Sequence, residues 1–187
     1  MTEKKIERKN TLWQEMFELL ESFAVAIVLV ILAFTLLFRI FVVKGPSMKS
    51  TLIDEDRIVA TNLLGEPENG DVIVFSGKYN NGEVLVKRVI GTAGDVVDIN
   101  ADGKVCVNNE VIDEPYLDEH QITYRHPYSP TEMPYTVQEG ELFVMGDNRL
   151  ESLDSRSTEI GVAETRRLLG KVVFRLFPNT GVIGNGE

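Results

Sequence analysis

Along the first quarter of the chain the hydrophobic pattern is continuous. Residues 23–38, FAVAIVLVILAFTLLF, carry no charge, and after Arg39 the run resumes as IFVV to Val43. At 1.5 Å per residue, 23–43 as a helix covers about 30 Å, one bilayer core. Arg39 lies near one end, where its stem can carry the guanidinium to the headgroups. The run is long for a cleaved leader, and no small-x-small pair follows it. It reads as a retained transmembrane anchor. The preceding residues 12–22, LWQEMFELLES, are amphipathic, with Leu12, Met16, Leu19 and Leu20 able to share a face and Trp13 placed as an interfacial anchor. Residues 1–22 are thus expected to form a tail and interfacial helix, 23–43 the anchor, and 44–187 a separate outer domain.

Beyond residue 45 the period changes from helical to two. Alternating runs predict strands near 57–61, 71–76, 83–90, 95–99, 104–108, 141–145 and 170–177. Between them stand the turn signals PENG, YNNG, TAGD and NADG, and ADG joining two alternating runs predicts a hairpin. Residues 113–140 break the pattern: four of the seven prolines and both histidines fall there, and an irregular excursion is expected. EIGVAETRRLL, 159–169, predicts a short helix or turn. The expected fold class is mainly β, an N-terminal transmembrane helix followed by a domain of coiled antiparallel sheets.

Charge and composition narrow the function. The net charge of −10 leaves no basic stripe for phosphates, which disfavours a nucleic-acid partner. Lys4, Lys5, Arg8 and Lys9 in the tail place the N-terminus on the cytoplasmic side and the outer domain across the cell membrane. A single cysteine, Cys106, excludes an intramolecular disulfide and a cysteine-based zinc site; its alternating surroundings make it a small core residue. The acidic stretch DEPYLDEH, 113–120, reads as a solvated loop rather than a cation site.

The chemistry centres on GPSMKSTL, 45–52, which presents Ser47 just beyond the apolar run. A serine hydroxyl becomes an effective nucleophile when a base takes its proton. His120 and His126 lie in the irregular excursion with no motif to orient them. A lysine can serve only if burial among apolar groups keeps it neutral. Lys87 in EVLVKRVIG is flanked on its own face by Leu85 and Val89, which suits that role. The same pattern also fits an edge strand that shows a lysine outward against aggregation.

Three stretches taken together resemble the boxes of the type I signal peptidases: GPSMKSTL (45–52), VKRVIGTAGD (86–95) and GDNRLESLDSR (146–156). The resemblance covers nearly the whole chain, and the single anchor is similar to compact Gram-positive forms. It implies a membrane-anchored serine endopeptidase that removes signal peptides from exported preproteins after small-x-small sites. It implies Ser47 as nucleophile, Lys87 as general base and Ser152 as the residue orienting that lysine. Gly45 and Met48 fall at the oxyanion and substrate-binding positions, and Arg88, Asp147, Arg149, Asp154 and Arg156 are expected to be structural. No metal and no organic cofactor is implied. The implied partners are secreted preproteins, the lipid bilayer and the secretion translocon.

The chain departs from the family pattern at three positions. Ser50 and Ala93 stand where proline is usual, and Gly45 where some members place a serine. Gly45 has no hydroxyl and Pro46 no N–H, so the oxyanion must rest on the Ser47 N–H and another backbone donor or water. These departures motivate a rival reading, a catalytically inactive anchored β domain that binds or scaffolds in secretion. A self-cleaving Ser-Lys repressor is a further rival, but its kind carries a DNA-binding region where this chain has an apolar run.

Overall fold

The computed structural model describes residues 3–78, 82–118, 121–178 and 180–183. His120 and residues 79–81 of the YNNG turn lie outside them. The chain divides into two compact units, one ending at Phe38 and one running from Arg39 to Glu187. The first is a single helix, α1 (Glu3–Leu37). Within its segment Trp13–Leu37 an 18-residue stretch has a mean hydropathy of 2.6 with no residue buried, and the segment is long and apolar enough to cross a bilayer.

The apolar run expected to be one anchor over 23–43 is corrected at its C-terminal end. Helix α1 stops at Leu37, and β1 (Phe38–Val42) belongs to the sheet. Hydropathy alone does not separate the two, because FRIFV is both apolar and rich in aromatic and β-branched residues that suit a strand. The stretch 12–22, expected to be the helix entering the membrane interface, lies in the same continuous helix α1.

The second unit is mainly β. Its larger sheet contains β1, β2 (Arg57–Thr61), β3 (Val72–Ser76), β4 (Val84–Gly91), β9 (Glu141–Met145), β10 (Ala163–Glu164) and β11 (Leu168–Phe177) in the order β1-β2-β11-β3-β4-β9-β10. A short β12 (Gly181–Val182) pairs with β11. The smaller sheet runs β7-β6-β5-β8, from β5 (Val96–Ile99), β6 (Val105–Val107), β7 (Glu110–Val111) and β8 (Tyr135–Thr136). The ADG signal falls in the turn of the β5–β6 hairpin, whose pairs include Ile99 with Val105. The helix or turn expected over 159–169 is instead β10, one 3-10 turn (Thr165–Arg167) and the start of β11.

Strand alternation sorts the apolar side chains into three clusters. Met48, Leu52, Ile58, Ala60, Val72 and Val74 pack together with Val43 and Val172. Ile73, Phe75, Val89, Leu142, Val144 and Ala163 form another. The third joins Ile90, Phe143 and Met145 of the large sheet to Val97, Ile99, Val105 and Val107 of the small one. Strand β4 feeds all three: Val86 packs on the first, Leu85 and Val89 in the second, and Ile90 in the third. It is an interior strand, antiparallel to β3 on one side and β9 on the other. That position decides the environment of Lys87.

Candidate active site

The segment 45–52 turns sharply after β1. Gly45 has φ +82°, a left-handed conformation that favours glycine, and its N–H donates to Asp54 Oδ1 at 2.7 Å. A single turn follows, in which the N–H groups of Thr51 and Leu52 both donate to the Met48 carbonyl. Met48 is 1% exposed and pins this turn into the first cluster. Ser47 is thus carried on a turn fixed by one buried apolar side chain and one glycine.

Lys87 Nζ donates to Ser47 Oγ at 2.7 Å. The lysine is buried, its strand enclosed between β3 and β9. The outward-facing edge lysine considered for this pattern is therefore not what the fold builds. Burial pushes the Lys87 amine below its ordinary value; the charges of Asp154 and Asp147 act in the opposite direction and are outweighed. A hydroxyl and a buried amine with a depressed pKa at hydrogen-bond distance can exchange a proton.

The third box packs against the same turn. Asn148 donates twice to it, from its backbone N–H to the Ser47 carbonyl at 3.0 Å and from Nδ2 to the Pro46 carbonyl at 3.1 Å. Gly146 is required by close approach: a Cβ there would lie 2.2 Å from Ser152 Oγ and 2.4 Å from the Ser47 carbonyl oxygen. Ser152 Oγ is buried and makes no bond to Lys87; its hydroxyl is among the groups that hold the Asp154 carboxyl below its ordinary value.

The charged residues of the boxes hold these segments together. Arg88 Nε and Nη2 donate to the two oxygens of Asp147 at 2.9 and 2.8 Å, Nη1 donates to the Gly70 carbonyl, and the guanidinium lies over the Tyr116 ring. Thr51, four residues after the nucleophile position, donates its hydroxyl to Asp147. Arg156 grips Asp154 through Nε and Nη2, both at 2.8 Å, and Gly146 N–H donates to the same carboxylate. Burial alone would raise the Asp154 carboxyl, but the Arg156 guanidinium holds it below the usual range. Arg149 reaches the irregular excursion, pairing with Glu114 and donating to Thr123 Oγ1. Glu114, Tyr116 and Thr123 carry no sequence signal for this role, because they sit in a stretch without periodicity. Asn148 had one, its place in GDNR. Among the described residues no group of acids, histidines and cysteine could hold a metal ion.

Ser47 and Lys87 open onto a cavity of about 310 Å³ walled by Phe41–Lys44, Met48 and Glu83–Val86. This concave space between β1 and the start of β4 presents polar and apolar surface in nearly equal parts.

A serine and a buried lysine in contact, on coiled antiparallel sheets, fit a serine hydrolase. The sequence pattern described as signal peptidase, peptidase S26, matches residues 16–177. Signal peptidase I of Bacillus licheniformis is 34% identical over 186 residues, 94% of each chain. Signal peptidase IB of Staphylococcus aureus (strain N315) is 35% identical over 180 residues, 88% of this chain and 91% of that one. A crystal structure of a signal peptidase I from Enterococcus faecalis V583 is 29% identical, covering 57% of this chain and 97% of its own, with a TM-score of 0.47. The chain belongs to the signal peptidase family, peptidase S26, and is a serine peptidase, a hydrolase.

Proposed function

We propose that the protein is a membrane-anchored endopeptidase that cleaves signal peptides from exported preproteins with a Ser47/Lys87 dyad. The observation that carries the dyad is the 2.7 Å bond between Lys87 Nζ and Ser47 Oγ, made by an amine that burial holds below its ordinary pKa. The apolar segment Trp13–Leu37 supports the anchor, and the tail lysines support a cytoplasmic N-terminus with the β unit outside.

The substrate's cleavage region adds as an extended segment beside β1 and the start of β4. Small side chains one and three residues before the cut enter the cavity between Phe41–Lys44 and Glu83–Val86. Neutral Lys87 takes the proton of Ser47 as the oxygen attacks the carbonyl carbon. The Ser47 N–H holds the developing oxyanion. Protonated Lys87 then gives its proton to the leaving amine, and deprotonates a water that hydrolyses the acyl-enzyme. Both enzyme and substrate are tethered to one bilayer, which raises their effective concentration.

Cleavage of a preprotein with an A-x-A site by the full-length protein in detergent tests this reading. Ser47→Ala and Lys87→Ala are each expected to abolish cleavage while the β unit stays folded by circular dichroism. Wild-type-like cleavage by either variant would remove the dyad, and no cleavage by the wild type would favour the non-catalytic anchored domain.

A further inference from the structure

The nucleophile turn is held at its start by Asn148, which donates to the Pro46 and Ser47 carbonyls. Its other end is held by a residue outside all three boxes. Arg175 of β11 donates from Nη1 to the Thr51 carbonyl at 3.0 Å, across 124 positions of sequence. Thr51 is therefore gripped twice, by Asp147 at its hydroxyl and by Arg175 at its carbonyl.

Arg175 stands where an aliphatic side chain would be expected. In register it opposes Ile58 of β2, and directly opposed residues share one face of a sheet. Ile58 is buried in the cluster that contains Met48 and Leu52. A cation on that face is costly unless acceptors meet it. Two features of the fold bring them together. The pairing of β11 with β2 shifts register on either side of Phe174 and Arg175, and such irregularities re-aim a side chain. Asp56, fully buried, places Oδ2 3.5 Å from Arg175 Nη1. The same oxygen accepts the Ile53 N–H at 2.9 Å, and the Asp56 carbonyl accepts the Val43 N–H at 2.8 Å. Val43 belongs to the wall of the dyad cavity. One aspartate thus joins the guanidinium, the chain just after the turn and the residue that follows β1.

We propose that Arg175, seated on Asp56, is a positioning residue for the nucleophile. This rests on the dyad reading given above. Asn148 fixes the front of the turn and Arg175 its back, so that Ser47 Oγ stays at bonding distance from Lys87 and the Ser47 N–H keeps its aim. Arg175 acts through the Thr51 carbonyl, not on the reacting atoms. A guanidinium presents several N–H groups in a fixed plane and can serve the carbonyl and the carboxylate together.

The test measures kcat and KM of the full-length protein in detergent on an A-x-A preprotein, with folding followed by urea unfolding. Arg175→Met keeps an apolar stem and removes both contacts. It is expected to lower kcat by about 10- to 100-fold, the scale of a misplacement of up to about 1 Å, with KM and the acid limb of the pH profile unchanged. Arg175→Lys should recover part of the loss. Lys171→Met removes another ion pair of the same strand, to Asp71 at 2.6 Å, and should leave kcat unchanged. A merely structural role would lower stability in both methionine variants and kcat in neither. An unchanged kcat in Arg175→Met would overturn the proposal, as would a loss carried by KM, a displaced acid limb or an equal loss of kcat in Lys171→Met. Should Arg175→Met fail to fold, Asp56→Asn carries the test: kcat should fall by about threefold or more, and an unchanged value overturns the proposal. Cleavage surviving in Ser47→Ala would refute the dyad, and the positioning role with it. An inactive Ser47→Ala beside an unimpaired Arg175→Met would refute the positioning role alone.

Discussion

Lys87 and Arg88 are neighbours on one strand, 3% and 1% exposed, and the fold treats them in opposite ways. Arg88 is met by both oxygens of Asp147, by the Gly70 carbonyl and by the face of Tyr116. Lys87 has a serine hydroxyl at 2.7 Å and makes no ion pair among the described residues. The comparison teaches that burial alone does not set a cation's protonation. Arg88 meets a carboxylate in a bidentate pair, whereas burial without such a partner lowers the Lys87 pKa. One strand thus holds an ion-paired guanidinium and, beside it, the amine proposed as the base.

The largest expected effect breaks the catalytic half of the comparison. Lys87→Ala or Ser47→Ala should lower kcat/KM for an A-x-A preprotein by on the order of 10³-fold or more. The structural half breaks by stability instead. Arg88→Met leaves the Asp147 carboxylate buried without its partner and should cost about 3–5 kcal/mol in urea unfolding. Lys87→Met, which leaves no carboxylate orphaned, should change stability by about 1 kcal/mol or less, or raise it. Equal destabilisation by the two methionine variants would erase the distinction.

Gly146→Ala sharpens the geometry between them. Its Cβ would push Ser152 or the Ser47 carbonyl, and a displacement of about 1 Å at the nucleophile is expected to cost about 10²-fold in kcat. Retained activity would mean that the turn relaxes without moving Ser47.

The smaller effects appear in pH profiles. The rate requires neutral Lys87, so kcat/KM should rise with pH along an acid limb that lies below the ordinary lysine range. Between the depressed value in the fold and the ordinary value, the unfolded chain holds the extra proton. Stability therefore rises with pH through that window, and Lys87→Met should lose this rise. Glu83 is exposed and its charge raises the Lys87 pKa, so Glu83→Gln should move the acid limb slightly to lower pH. A shift to higher pH would contradict the assignment.

Much of this site was legible before any coordinates. Lys87 stood out because an amine inside EVLVKRVIG conflicts with its surroundings, and the fold resolves that conflict by enclosing β4 between β3 and β9. The strands with clear alternation appear within a few residues of the expected positions. What stayed hidden follows from the limits of pattern. FRIFV is equally apolar as membrane helix or strand, and only its pairing in the sheet decides. Glu114 and Thr123 acquire meaning from Arg149, which lies more than twenty residues away from either in sequence. Gly146 shows its necessity only when Ser47 and Ser152 are seen on either side of it.

The central claim is that the Ser47 hydroxyl is activated by an uncharged Lys87. The most direct measurement is the rate at which a serine-directed acylating probe labels the protein as a function of pH, with the modified residue read by mass spectrometry. The account predicts labelling at Ser47 that follows one ionisation below the ordinary lysine range and vanishes in Lys87→Ala. Labelling at Ser47 with wild-type rate and pH dependence in Lys87→Ala, or at a different serine, would contradict it.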